Sequence, residues 1–100
     1  MELPVIHMNG TAPEALIEGY SAVYYALNDA LTALHRATPN ARDYYPIGEE
    51  ATARAMAEHK ARVASLEAVR REMQTIIAHV DDAMDARLTQ PLPPVVYIRG

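Results

Sequence analysis

The stretch EEATARAMAEHKARVASLEAVRREMQTIIAHVDDAMDARL, residues 49–88, decides the fold. Met56, His59, Val63, Leu66, Arg70, Met73, Ile77, Val80 and Met84 follow one another at alternating steps of three and four. That spacing places them on one side of a helix. Seven of the nine are apolar, and no proline falls between Pro46 and Pro91. Ala, Glu, Arg and Met, all strong helix formers, fill the interior. Glu49 and Glu50 follow Gly48 and suit a helix N-terminus, while Glu58 with Arg62 and Glu67 with Arg71 are favourable pairs four apart. At 1.5 Å per residue, about 38 residues span about 57 Å, whereas a compact domain of this length has a radius of gyration of about 13 Å. The molecule is therefore expected to be elongated, or to be one piece of a larger bundle.

Working towards the N-terminus, Thr11-Ala12-Pro13-Glu14 reads as a helix start, with Thr11 as N-cap, Pro13 in the first turn and Glu14 completing a capping box. This first helix is expected over residues 11–37, before Pro39 stops it. Ile17, Tyr20, Tyr24, Leu27, Leu31 and Leu34 make one apolar seam along it. Ala15, Gly19, Ala22, Ala26, Ala30, Ala33 and Ala37 make a second stripe of small residues, centred roughly 130° round the helix. The helix thus has two faces that want neighbours.

Residues 38–48 are a proline-containing connection, at the long end of the usual range for antiparallel helices. Folding the second helix back pairs Leu34 with Met56, Leu31 with His59, Leu27 with Val63, Tyr24 with Leu66 and Tyr20 with Arg70. The numbers in each pair sum to 90. In that register the first helix ends opposite Ile77, so Ile77, Val80, Met84 and Leu88 overhang. The expected cover is an N-terminal arm, residues 1–10, whose apolar run ends in the Asn9-Gly10 turn signal, and a C-terminal arm, residues 89–100, with β-forming Val95-Val96-Tyr97-Ile98. These arms are expected to pair as a small sheet or to exchange with a second copy. The fold class is thus mainly all-α: a single domain, a long antiparallel helical hairpin with short extended or β-like arms, assembling into a dimeric four-helix bundle.

Composition narrows the function. The chain has 100 residues, half of them hydrophobic, with no Phe, Trp or Cys. A core made of Ala and Met is thin for a lone monomer, and the lack of cysteine excludes disulfides and thiolate metal sites. A net charge of −4 and a pI near 5.4 argue against nucleic-acid binding. No apolar run has the length of a membrane span, and the N-terminus lacks a signal peptide's pattern. The expectation is a cytoplasmic protein with no membrane partner.

Arg42-Asp43-Tyr44-Tyr45-Pro46 is the most distinctive loop, and its two tyrosines beside an arginine suit either a plug for the bundle end or a recognition surface. Arg70, in the apolar seam, is expected to contact Tyr20. Arg42, Tyr44, Tyr45, Tyr20 and Arg70 are therefore the candidate ligand- or partner-binding residues. Ala15, Gly19, Ala22, Ala26, Ala30 and Ala33 are the candidate oligomer interface. His59 with His35 and Glu58, and His79 with Asp82 and Asp85, lack the Glu-x-x-His spacing of bundle metal sites, so no metal or cofactor is assigned. No nucleophile with a base, glycine-rich phosphate loop or paired-carboxylate motif is present, so no catalytic residue is assigned and the chain is read as no enzyme.

His7-Met8-Asn9-Gly10-Thr11, leading into an acidic helix start, and Asn40-Ala41-Arg42-Asp43-Tyr44-Tyr45-Pro46 between two helices together resemble small uncharacterised proteins of tailed phages and prophages. The resemblance implies a phage accessory protein acting inside a bacterial cell and implies no catalytic residue. The expected function is protein–protein interaction with a host or phage partner, including counter-defence. The alternatives are binding or sequestering a nucleotide-type signal, and service as a minor structural component of a phage particle.

Overall fold

The computed structural model describes the backbone of residues 1–89 and the side chains of residues 1–86. Two helices dominate: α1, Pro13–Arg36, and α2, Glu49–Thr89. They lie against each other as an antiparallel hairpin, and no strand occurs among the described residues. The N-terminal arm is accordingly not the β-strand that its apolar run suggested. It has no regular secondary structure from Met1 to His7 and turns where Gly10 N–H donates to His7 O at 3.1 Å. Val95 to Ile98, the expected second strand, lie outside the described residues. The chain is elongated, with a radius of gyration of 23.0 Å and extents of 90 × 21 × 19 Å.

α1 starts one residue later than a capping box requires. Ala12 is its N-cap, makes no side-chain cap, and accepts through its carbonyl from Ala15 and Leu16 N–H at 3.0 and 3.1 Å. With Pro13 at the first helical position, Glu14 falls at the second and not the third, so Thr11 and Glu14 cannot form the reciprocal pair. At the other end Ala37 N–H donates to both Ala33 O and Leu34 O, closing the helix before Pro39.

The register differs from the expected one. Thr38 meets His59, Asn28 meets Arg70 and Tyr24 meets Gln74, pairs whose numbers sum to 97 or 98. The slip of seven to eight residues is about two helical turns, or about 11 Å. Its cause is the connection, which does not arch over the bundle end but runs back along the first turns of α2. Two 3-10 turns, Ala41–Asp43 and Tyr45–Ile47, carry it, and Ala51 and Ala55 of α2 are buried on that stretch. Small side chains let the connection lie close.

The slip also moves the overhang. In the observed register Pro13 stands opposite about residue 85, so α1 itself reaches beyond Ile77 and Val80, and Val80 is fully buried. The part of α2 that α1 does not reach is its first three turns, and the connection covers those. The N-terminal arm adds a third layer beside α2, where His79 Nε2 donates to Pro4 O at 2.8 Å and Pro4 and Ile6 are half-buried.

Candidate functional site

The connection is the most heavily specified part of the backbone. Asn40 Oδ1 accepts from Arg42 N–H at 3.1 Å and starts the first 3-10 turn. Tyr44 N–H donates to Ala41 O, and Ile47 N–H donates to Tyr44 O, both at 3.0 Å. Pro46 fixes the second turn in its favoured φ range. Gly48 then takes φ 109°, ψ 156°, a conformation open essentially to glycine alone, and its carbonyl accepts from Ala51 N–H to begin α2. The result is an ordered strap with its side chains divided. Tyr44 is half-buried, while Tyr45 and Ile47 are 70% and 76% exposed. Arg42 is exposed beside them.

The strap is tied down at its start by a short relay. Thr38 Oγ1 lies 2.6 Å from His35 O and 3.3 Å from His59 Nε2. A hydroxyl has one proton, and the carbonyl can only accept, so Thr38 donates to His35 O and accepts from His59 Nε2–H. His59, 6% exposed, is thereby the one buried polar side chain among the described residues, and it is satisfied. Beside it lies an open cleft of about 330 Å³ lined by His35, Thr38, Met56, His59, Lys60, Val63, Ala64 and Glu67. Its lining is mainly apolar, with Lys60, His35 and Glu67 among the polar side chains that border it.

The structure separates the expected site residues within one chain. Arg70 does not meet Tyr20: its Nη1 donates to Asn28 Oδ1 at 2.9 Å. Tyr20 lies eight residues further along α1, about 12 Å from Asn28, in a shallow apolar hollow with Ala15, Leu16, Gly19 and Val23. Arg42, Tyr44 and Tyr45 sit at the opposite end, beside Ala51 and Ala55. The small-residue stripe of α1, Ala15, Gly19, Ala22, Ala26, Ala30 and Ala33, is exposed throughout. So are Ala53, Ala57, Ala61, Ala64 and Ala68 of α2.

Neither histidine group gathers a ligand set. Glu58 pairs with Arg62 at 3.5 Å, and His79 is engaged by Pro4 O. Asp81, Asp82 and Asp85 bring carboxylates within 4.8 Å of one another on the open surface of α2, a common arrangement of exposed acids. Among the described residues, no helix is long and apolar enough to cross a membrane. Sequence reasoning missed the Thr38–His59 relay and its cleft, because the slipped register hid that Thr38 reaches His59. No protein-family model matches this chain, and no curated protein or solved structure matches it.

Proposed function

We propose that this chain is a non-enzymatic interaction protein of phage or prophage type, a self-associating hairpin that captures a host or phage protein inside a bacterial cell. The observation that supports it most is the strap. Four hydrogen-bonded turns and a positive-φ glycine hold a loop in one conformation and leave Tyr45 and Ile47 bare at its crest. Large apolar side chains shown on an ordered loop lose little entropy when they bind, which is the character of a binding hot spot. Counter-defence fits this reading as one use of such capture. The test is a pull-down from the infected host with the wild-type chain and with Tyr45→Ala/Ile47→Ala, leaving Tyr44 to hold the strap. The reading expects specific partners to be lost with helicity unchanged; an identical captured set overturns it.

A second reading, capture of a small anionic ligand such as a nucleotide-type signal, draws on the cleft beside His59, whose mainly apolar lining includes Lys60, His35 and Thr38, with the Glu67 carboxylate opposing an anion. A ligand that binds only the folded state raises the melting temperature when present well above its dissociation constant. A thermal-shift panel of cyclic and ADP-ribose nucleotides, repeated on Lys60→Ala, separates this reading from the first.

A further inference from the structure

The chain exposes more surface than its mass explains. A folded protein of 11.0 kDa ordinarily shows about 5,600 Å², and this one shows 8004 Å². Among its described apolar residues only Leu31, Ala51, Ala55, Ile76 and Val80 are buried. A core this thin among the described residues leaves an apolar face to be covered.

The two broad sides of the hairpin differ. The polar contacts His59–Thr38, Arg70–Asn28 and Gln74–Tyr24, which join α2 to α1 or its C-terminal end, lie on the side that carries the cleft. At 100° per residue, the other side is formed by Leu16, Val23, Leu27 and Leu34 of α1 and by Leu66, Val69 and Met73 of α2, and continues to Ile76 and Val80, which are buried where the N-terminal arm lies. Val23 and Val69, on different helices, are 43% and 40% exposed there. The hollow at Ala15, Leu16, Gly19, Tyr20 and Val23, about 230 Å³, opens at the edge of the same side.

We propose that this apolar side, centred on Val23 and Val69, is covered by the same side of a second copy of the chain, with α1 crossing its partner closest at Gly19. The proposal rests on the self-association in the reading above and names its surface, which lies on the flank of α1 and not on the centre of the alanine stripe.

Three observations select an identical copy as the occupant. The first is charge. The chain carries −4 overall, yet between Leu16 and Leu34 this side of α1 bears no charged residue, and α2 contributes only Glu58 and Arg62, which neutralise each other at 3.5 Å. A face without unpaired charge can meet itself across a two-fold axis. The second is area. α1 lies along α2 for 24 residues, about 36 Å, and the hairpin is 21 Å wide, so two copies remove at most about 1,500 Å², less what the N-terminal arm covers beside Ile76 and His79; that bound is the size of a standard specific interface. The third is Gly19. Glycine is the poorest helix former after proline, yet a Cβ built there meets nothing within 4 Å among the described residues. Nothing among the described residues of the protomer needs that position bare, whereas a closely crossing helix does.

Sedimentation velocity on the full chain tests this. The wild type is expected at twice the 11.0 kDa chain mass, and Val23→Glu/Val69→Glu at the chain mass with unchanged helicity, since both valines are partly solvated in the protomer. Tyr25→Glu, an exposed position on the cleft side, is expected to stay dimeric. A wild-type dimer that the double substitution leaves intact overturns the surface and spares self-association. A wild-type monomer at the highest soluble concentration overturns both, and neither result touches capture through Tyr45 and Ile47. If the double variant fails to fold, Gly19→Ala decides: weaker dimerisation supports the close crossing, and unchanged or tighter dimerisation overturns it.

Discussion

Arg70 of α2 donates to Asn28 Oδ1 of α1 at 2.9 Å, joining residues 42 apart in the chain and placing a guanidinium in an apolar seam against a neutral amide. Both residues are half-buried, so the hydrogen bond is partly shielded from water. Asn28→Ala is expected to cost about 1–2 kcal/mol, because it leaves the guanidinium short of an acceptor. In urea unfolding, a double-mutant cycle of Asn28→Ala with Arg70→Met is expected to show coupling of about 1 kcal/mol, and the same cycle with Tyr20→Phe none. Coupling to Tyr20 instead would restore the register in which those two residues face each other.

That register shows how far the sequence carries and where it stops. The seams of both helices were legible because their steps of three and four are a property of each helix alone. Their mutual alignment was not, since a seam with a step of 3.5 presents the same kinds of residue after a slip of seven. Leu31 can face His59 or a residue two turns on, with apolar neighbours either way. The connection decides between them, and its length alone does not reveal that it runs alongside α2.

Gly48 sets the direction of that connection. Its φ of 109° lies where a side chain is strained, although a Cβ there would find open space. Gly48→Ala is therefore expected to destabilise the chain by about 1–3 kcal/mol through backbone strain alone. Gly19→Ala carries no such strain, since Gly19 is helical. Chemical denaturation of Gly48→Ala against the wild type measures the cost, and unchanged stability would mean that residue 48 relaxes to negative φ.

Thr38 and His59 fasten the strap to α2. Thr38→Val keeps the size of the side chain and removes the acceptor that His59 Nε2–H uses, leaving a buried ring nitrogen unpaired. The expected loss is about 1–2 kcal/mol, and Thr38→Ser is expected to recover most of it because the hydroxyl returns. If valine and serine behave alike, the threonine contributes through packing and the relay has no energetic content.

The alanines of α2 divide in a way that composition alone conceals. Ala51 and Ala55 are buried where the strap passes, whereas Ala53 and Ala57, two residues on, stand in solvent on the opposite side of the helix. All four satisfy the same helix preference; the helical period sets the two pairs on opposite sides, but nothing in the sequence says that the connection would lie over Ala51 and Ala55. Enlargement separates them. Ala55→Leu inserts three carbons beneath the strap and is expected to cost about 1–3 kcal/mol by forcing the connection outward. Ala57→Leu adds the same atoms to open surface and is expected to change stability by less than about 0.5 kcal/mol. Thermal unfolding followed by circular dichroism compares them. If the connection instead arched over the end of the bundle, Ala55 would be as free as Ala57 and the two substitutions would be equivalent.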